Sequence, residues 1–122
     1  MDDEYSVIEL ELDTPLAVLE ARGRFNTRSV WDLQQRCDAL YGRGHSFIVV
    51  EMSGVTFISS SGPGRLVRMT YDFLERDGLF QIAAVPDAVT RVIDMLNSRQ
   101  FLNIAADVDE ARTRLGASTP SE

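Results

Sequence analysis

The hydrophobic positions change period several times along the chain. In "YSVIELEL", residues 5–12, apolar and charged residues alternate after Val7: Ile8 against Glu9, Leu10 against Glu11. That period of two predicts a half-exposed strand. "TPLAVLEARGRF" predicts a second strand, antiparallel to the first, with Thr14-Pro15 as the turn between them. The period then becomes helical. Val30, Leu33, Cys37 and Leu40 form one stripe, Asn26 or Thr27 stands where a cap belongs, and Trp31 falls beside the stripe, partly covered. The glycines of "YGRGHS" end this helix.

"FIVVEM", residues 47–52, is short, β-branched and apolar, and predicts a central strand covered on both faces, followed by an exit loop in "SGVTF". A helix is expected from about residue 62 to 76. Its Leu66, Met69 and Phe73 face inward, widened by Val67 and Leu74; Arg65, Arg68, Asp72 and Arg76 face out. "LFQIAAV" gives the next strand. Pro86 opens a helix with Val89, Val92, Ile93 and Leu96 on one side. "FLNIAA" reads as a short edge strand, and "DVDEARTRL" as a closing helix whose Asp107 and Glu110 have capping-box spacing.

The order β-β-α-β-α-β-α-β-α predicts an α/β fold: a mostly parallel mixed sheet of about four to five strands with about four helices. Residues 1–116 make one domain, which suits a chain of 122 residues, and the polar stretch 117–122 is expected to be a disordered tail. In such sheets function gathers at the carboxyl ends of the strands.

Charge narrows the function. The net charge is −7 and the twelve basic residues are scattered, which argues against a nucleic-acid partner. No apolar run approaches the ~20 residues of a membrane span, so membrane insertion is not expected. The N-terminus "MDDEYSV" lacks the apolar core of a signal peptide, and a cytoplasmic protein is expected. The one cysteine, Cys37, sits on the helical stripe and reads as a small core residue. One His and one Cys without a carboxylate cluster give no metal site, and no cofactor is expected.

The chemistry concentrates in "FISSSGPGRL", residues 57–66, where three serines lie on a strand-to-helix turn. A hydrolase elbow requires G-x-S-x-G and a base; here the serines precede the glycines. The single histidine, His45, lies at the opposite end of the strand and reads as a solvated loop residue. A helix N-terminus favours anions, but no lysine follows Gly64, and Pro63 removes one N–H from any phosphate cradle. Ser60 or Ser61 reads equally as a helix cap, with Pro63 in the first turn. A cap alone does not account for three consecutive serines followed by two glycines.

"VVEMSGVTFISSSGPGRLV" resembles the signature of STAS domains, the fold of bacterial anti-sigma factor antagonists, which carry D-x-S-G-V-x-x-I-D-S-S-G-x-G-x-L. "GRFNTRSVWDL" resembles the family's loop into its first helix. "IAAVPDAVTRVIDMLNSRQFLNIAADVDEA" resembles its later strand, Pro-started helix and closing segment, so the similarity spans roughly residues 5 to 116. In that family the serine after the aspartate is phosphorylated by a partner kinase that is itself the anti-sigma factor. By position that serine is Ser60, with Ser61 and Ser59 as adjacent candidates. The chain departs from the pattern twice: Ser59 replaces the aspartate and Pro63 an apolar residue.

The resemblance implies a non-enzymatic antagonist that binds a kinase-type anti-sigma factor when unphosphorylated, is released on phosphorylation, and is reset by a serine phosphatase. It leaves room for a weak homodimer. The implied partner-binding residues are Asn26, Thr27, Ser59, Ser60, Ser61, Gly62, Pro63, Arg65 and Arg68. The alternative is a STAS scaffold or transporter-associated regulatory subunit with no phosphorylation cycle.

Overall fold

The strands β1 (Tyr5–Asp13) and β2 (Leu16–Phe25) pair antiparallel across Thr14-Pro15, whose peptide bond is cis, in the computed structural model of the protein, which describes residues 4–118. Then come α1 (Thr27–Gly42), β3 (Phe47–Ile58), α2 (Gly62–Glu75), β4 (Leu79–Ala83), α3 (Asp87–Met95), a 3-10 turn (Arg99–Phe101), β5 (Ile104–Ala105) and α4 (Val108–Ser118). The five strands form one sheet in chain order, β1-β2-β3-β4-β5, and every pair after the first is parallel. This is the mixed α/β sheet expected from the alternation of elements.

Alternation along the strands decides which helix covers which face. Ala17, Leu19 and Ala21 of β2, with Ile48, Val50 and Met52 of β3, join one core with Val30, Leu33, Cys37 and Leu40 of α1, Leu66, Met69 and Phe73 of α2, and Val89 and Ile93 of α3. Leu16, Val18 and Val49 point the other way, into a smaller cluster with Ala83, Ala105 and Ala111. Among the described residues, three helices therefore cover one face, and α4 alone covers part of the other. Burial pushes the Cys37 thiol far above its usual range, so it is an inert core residue.

Several expectations change. β3 does not end at Met52: "SGVTF" is strand, because β2 runs beside it to Phe25 and pairs Arg22 with Gly54 and Phe25 with Ile58 across two register shifts. In β1 only Val7 among the aliphatic residues is buried, whereas Ile8, Leu10 and Leu12 are exposed. Leu74 and Leu96 do not widen their helices' inner faces; both are exposed, since each lies past the last residue whose stripe meets the sheet. His45 is not solvated. It is buried, and its Nδ1 lies 3.2 Å from the carbonyl oxygen of Leu16. α4 continues through Ser118, two residues into the expected tail, and the rest of that tail lies outside the described residues.

The capping pair at α4 forms nearly as its spacing predicts. Glu110 N donates to Asp107 Oδ1 at 2.8 Å, while the Glu110 carboxylate reaches back to the Ala106 N–H, one residue earlier than the ideal box. Among the described residues no helix is long and apolar enough to cross a membrane.

Candidate functional site

The three serines stand at the carboxyl end of β3, beside the end of β2. Ser59 N donates to Phe25 O at 2.9 Å, and Gly62 N donates to Ser59 O at 2.9 Å, which closes the turn into α2. Gly62 is required by contact. A Cβ there would lie 2.6 Å from Ile58 Cδ1, where the head of α2 crosses the end of β3. Pro63 follows in the first turn and is buried, its missing N–H costing nothing at that position.

The hydroxyls are not equivalent. Ser59 Oγ and Ser61 Oγ lie 3.1 Å apart, and Ser61 Oγ lies 2.8 Å from Thr27 Oγ1 at the start of α1. Ser61 occupies the N-cap position of α2, yet its side chain caps nothing; it is spent on the bridge to Thr27. Ser60 is exposed, and among the described residues its hydroxyl meets no hydrogen-bond partner. Two of the three hydroxyls thus brace the turn and the middle one faces outward. The site lies at the N-terminus of a fourteen-residue helix, where the dipole and free N–H groups accept negative charge.

The neighbouring helix supplies the rest of the surface. Asn26 caps α1: its Oδ1 accepts from Ser29 N at 3.0 Å and from Ser29 Oγ at 2.9 Å, so this side chain is held within the turn. Thr27 is exposed and reaches Ser61. Arg65, one turn into α2, donates to Gln34 Oε1 at 3.1 Å and lies over the Trp31 ring, 5.1 Å from its centroid. Arg68 is 72% exposed and pairs with Asp72 at 3.4 Å on the same helix. The structure thus joins Thr27, Ser59 and Ser61 through their hydroxyls and sets Arg65 against α1, while Arg68 points away to solvent.

Trp31 and Gln34 were not among the residues singled out from the sequence as site residues. The signal was present: Trp31 lies next to Val30 but off the inner stripe, and it is 47% exposed. A large aromatic left half-open beside an arginine is unusual for a purely structural residue and common at interfaces. Among the described residues no group of three or more His, Cys, Asp or Glu side chains is arranged to hold a metal ion, and His45, at the far end of β3, cannot serve these serines as a base.

The model of the STAS domain matches residues 7–111. No curated protein matches the chain by sequence. Among solved structures, an anti-sigma factor antagonist from Mycobacterium paratuberculosis is 21% identical, with a TM-score of 0.79 over 95% of this chain and 97% of that one. The anti-sigma factor antagonist SpoIIAA in its unphosphorylated form is 15% identical, with a TM-score of 0.75 over 94% of this chain and all of the other. The phosphorylated form of the Bacillus protein gives 14% and 0.67, over 90% and 99%. The murine anion transporter Solute Carrier 26 family member A9 is 13% identical, with a TM-score of 0.71 over 88% of this chain but 18% of its own.

Proposed function

The chain belongs to the STAS domain family, and from that premise we propose that it is an anti-sigma factor antagonist controlled by phosphorylation at Ser60. In the unphosphorylated state it binds a serine-kinase anti-sigma factor through the serine turn and the adjoining faces of α1 and α2. The kinase transfers a phosphoryl group from ATP to Ser60 Oγ; ADP leaves and the hydroxyl proton passes to a base on the kinase. The antagonist then dissociates, and a serine phosphatase returns it to the binding state. It catalyses no step itself and works in the cytoplasm.

The observation that carries this reading is the inequality of the three hydroxyls. Ser60 is outward and unpartnered, while Ser59 and Ser61 are tied to each other and to Thr27. In-line transfer needs a hydroxyl that a kinase can position without breaking bonds in the substrate. The phosphate adds about −1.5 to −2 charges. At the head of α2 the folded domain tolerates them; at the centre of an interface they are costly. A hundredfold loss of affinity needs only ~2.7 kcal/mol. The domain stays folded in both states while its affinity for the partner changes.

The test is incubation with the cognate anti-sigma kinase and ATP, with the site mapped by mass spectrometry. Phosphate is expected on Ser60. Ser60→Ala should remain unmodified yet bind the kinase, and Ser60→Asp should fold normally and bind about tenfold or more weakly. Trp31 is the chain's only tryptophan, so its fluorescence reports binding directly. A kinase that binds tightly but modifies none of the three serines would overturn the switch. It would favour a STAS scaffold or transporter-associated subunit, a reading supported by the likeness to the murine transporter's domain and by Ser59 in place of the family's aspartate.

A further inference from the structure

Among the described residues, the long free edge of the sheet is β1. The opposite edge, β5, is only two residues long, whereas β1 has nine. The ladder tells which backbone groups of β1 are free. Arg24 N donates to Glu4 O, so Glu4 turns its carbonyl toward β2. Antiparallel alternation then turns the N–H and C=O groups of Tyr5, Val7 and Glu9 outward. Leu10 is an extra residue between Glu9, paired with Leu19, and Glu11, paired with Val18; this bulge ends that phase. Tyr5–Glu9 thus presents an open ladder. Beside and beyond it stand three exposed aliphatic side chains, Ile8, Leu10 and Leu12, at 45%, 54% and 40% exposure.

Charge decides what can occupy this edge. Residues 4–13 contain Glu4, Glu9, Glu11 and Asp13 and no lysine or arginine. Glu11 is committed to Arg112 of α4; Glu9 and Asp13 are exposed. A second copy pairing through β1 would bring these acids against their own kind, and like charges directly opposite each other destabilise a sheet. Acidic residues and a bulge are the usual guards against self-pairing. The same acids attract a strand of opposite sign. We propose that the outer edge of β1 is a second interaction surface, which docks an extended segment of a partner protein whose apolar residues alternate with basic ones. Main-chain bonds to Tyr5, Val7 and Glu9 hold the segment, its apolar side chains lie beside Ile8 on one face of the sheet, and its basic side chains meet Glu9 on the other. The surface does not use Ser60, and it stands or falls separately from the phosphorylation cycle.

The probe is a short fluorescein-labelled peptide of alternating valine and lysine, followed by anisotropy at physiological ionic strength with the full chain. A peptide of the same composition with its valines and lysines in separate blocks should bind about tenfold more weakly or worse. Methylating every second amide of the alternating peptide blocks its ladder in one phase and spares it in the other, so one methylated form should fail and the other bind. Glu9→Pro, which removes an outward N–H while leaving the bonds to β2, should weaken binding by a similar factor; Glu9→Gln should cost less. The methylated peptides test the ladder on the wild-type chain even if the proline variant misfolds. Equal binding of the alternating and block peptides, or indifference to methylation in both phases, would reduce the interaction to bulk charge and overturn the proposal. So would a dimer in analytical ultracentrifugation that Glu9→Pro dissolves, since a second copy would then own the edge.

Discussion

Gly62 and Gly64 lie two residues apart at the head of α2 and face opposite surroundings. A side chain at Gly62 meets Ile58 and Val30, whereas one at Gly64 meets nothing within 4 Å. Gly62→Ala should therefore cost ~1–3 kcal/mol through overpacking. Gly64→Ala should be neutral or stabilise the fold by ~0.4–1 kcal/mol, since alanine restricts the unfolded chain and suits a helix. Urea unfolding of the two variants checks both signs. The "G-P-G" of the sequence showed that the turn was tight but not which glycine carried the constraint, because that depends on Ile58, four residues earlier in the chain, folding beneath it. His45 was misplaced for the same kind of reason. Its partner is the Leu16 carbonyl on another strand, and nothing local to "RGHSF" announces it.

Elements were legible where one stripe met one surface. α1 was readable from Val30, Leu33, Cys37 and Leu40, which stay buried along the whole helix. The far half of β3 was not, since "SGVTF" earns its strand geometry from pairing with β2 rather than from its own alternation. The N-terminus of β1 is tied to α1 by Tyr5, whose hydroxyl donates to the Asp32 carboxylate. That hydrogen bond, more than burial, raises the Tyr5 pKa above its usual value of 10.0. A raised tyrosine contributes stability that is complete below the unfolded pKa and is lost as pH climbs through the folded one. Tyr5→Phe should thus be ~1 kcal/mol less stable than wild type near neutrality, and the gap should close above about pH 10. Denaturation at a series of alkaline pH values measures it; a gap that persists or widens there would exclude this bond as its source. On α2, Arg68→Glu places like charges at i and i+4 with Asp72 and should cost less than ~0.5 kcal/mol. If the exposed face of α2 contacts the proposed anti-sigma partner, the same change weakens binding severalfold, as Trp31 fluorescence would show.

For the whole molecule, the two cores differ in extent. The face under α1, α2 and α3 holds Phe25, Phe73, Phe80 and most of the buried leucines, while the face under α4 is built largely from alanine and valine. Leu19→Ala, in the centre of the first, should cost ~2–5 kcal/mol, and Val18→Ala, its neighbour facing α4, should cost less because fewer atoms are removed. Thermal unfolding compares the two, and an equal loss would mean that the α4 face bears more of the stability than its residues suggest. The sheet order β1-β2-β3-β4-β5 repeats the order of the chain. During synthesis, then, no strand has to be inserted between two that are already joined. β1 and β2 are complete before α1 leaves the ribosome, and each later strand adds to the margin that its predecessor left open. Growth proceeds on one side only, with nearby segments meeting first, which keeps the entropic cost of closing each loop small. A nascent chain halted once α2 has emerged should already protect the amides of β2 and the first half of β3 from exchange, while β4 still lies within the ribosome.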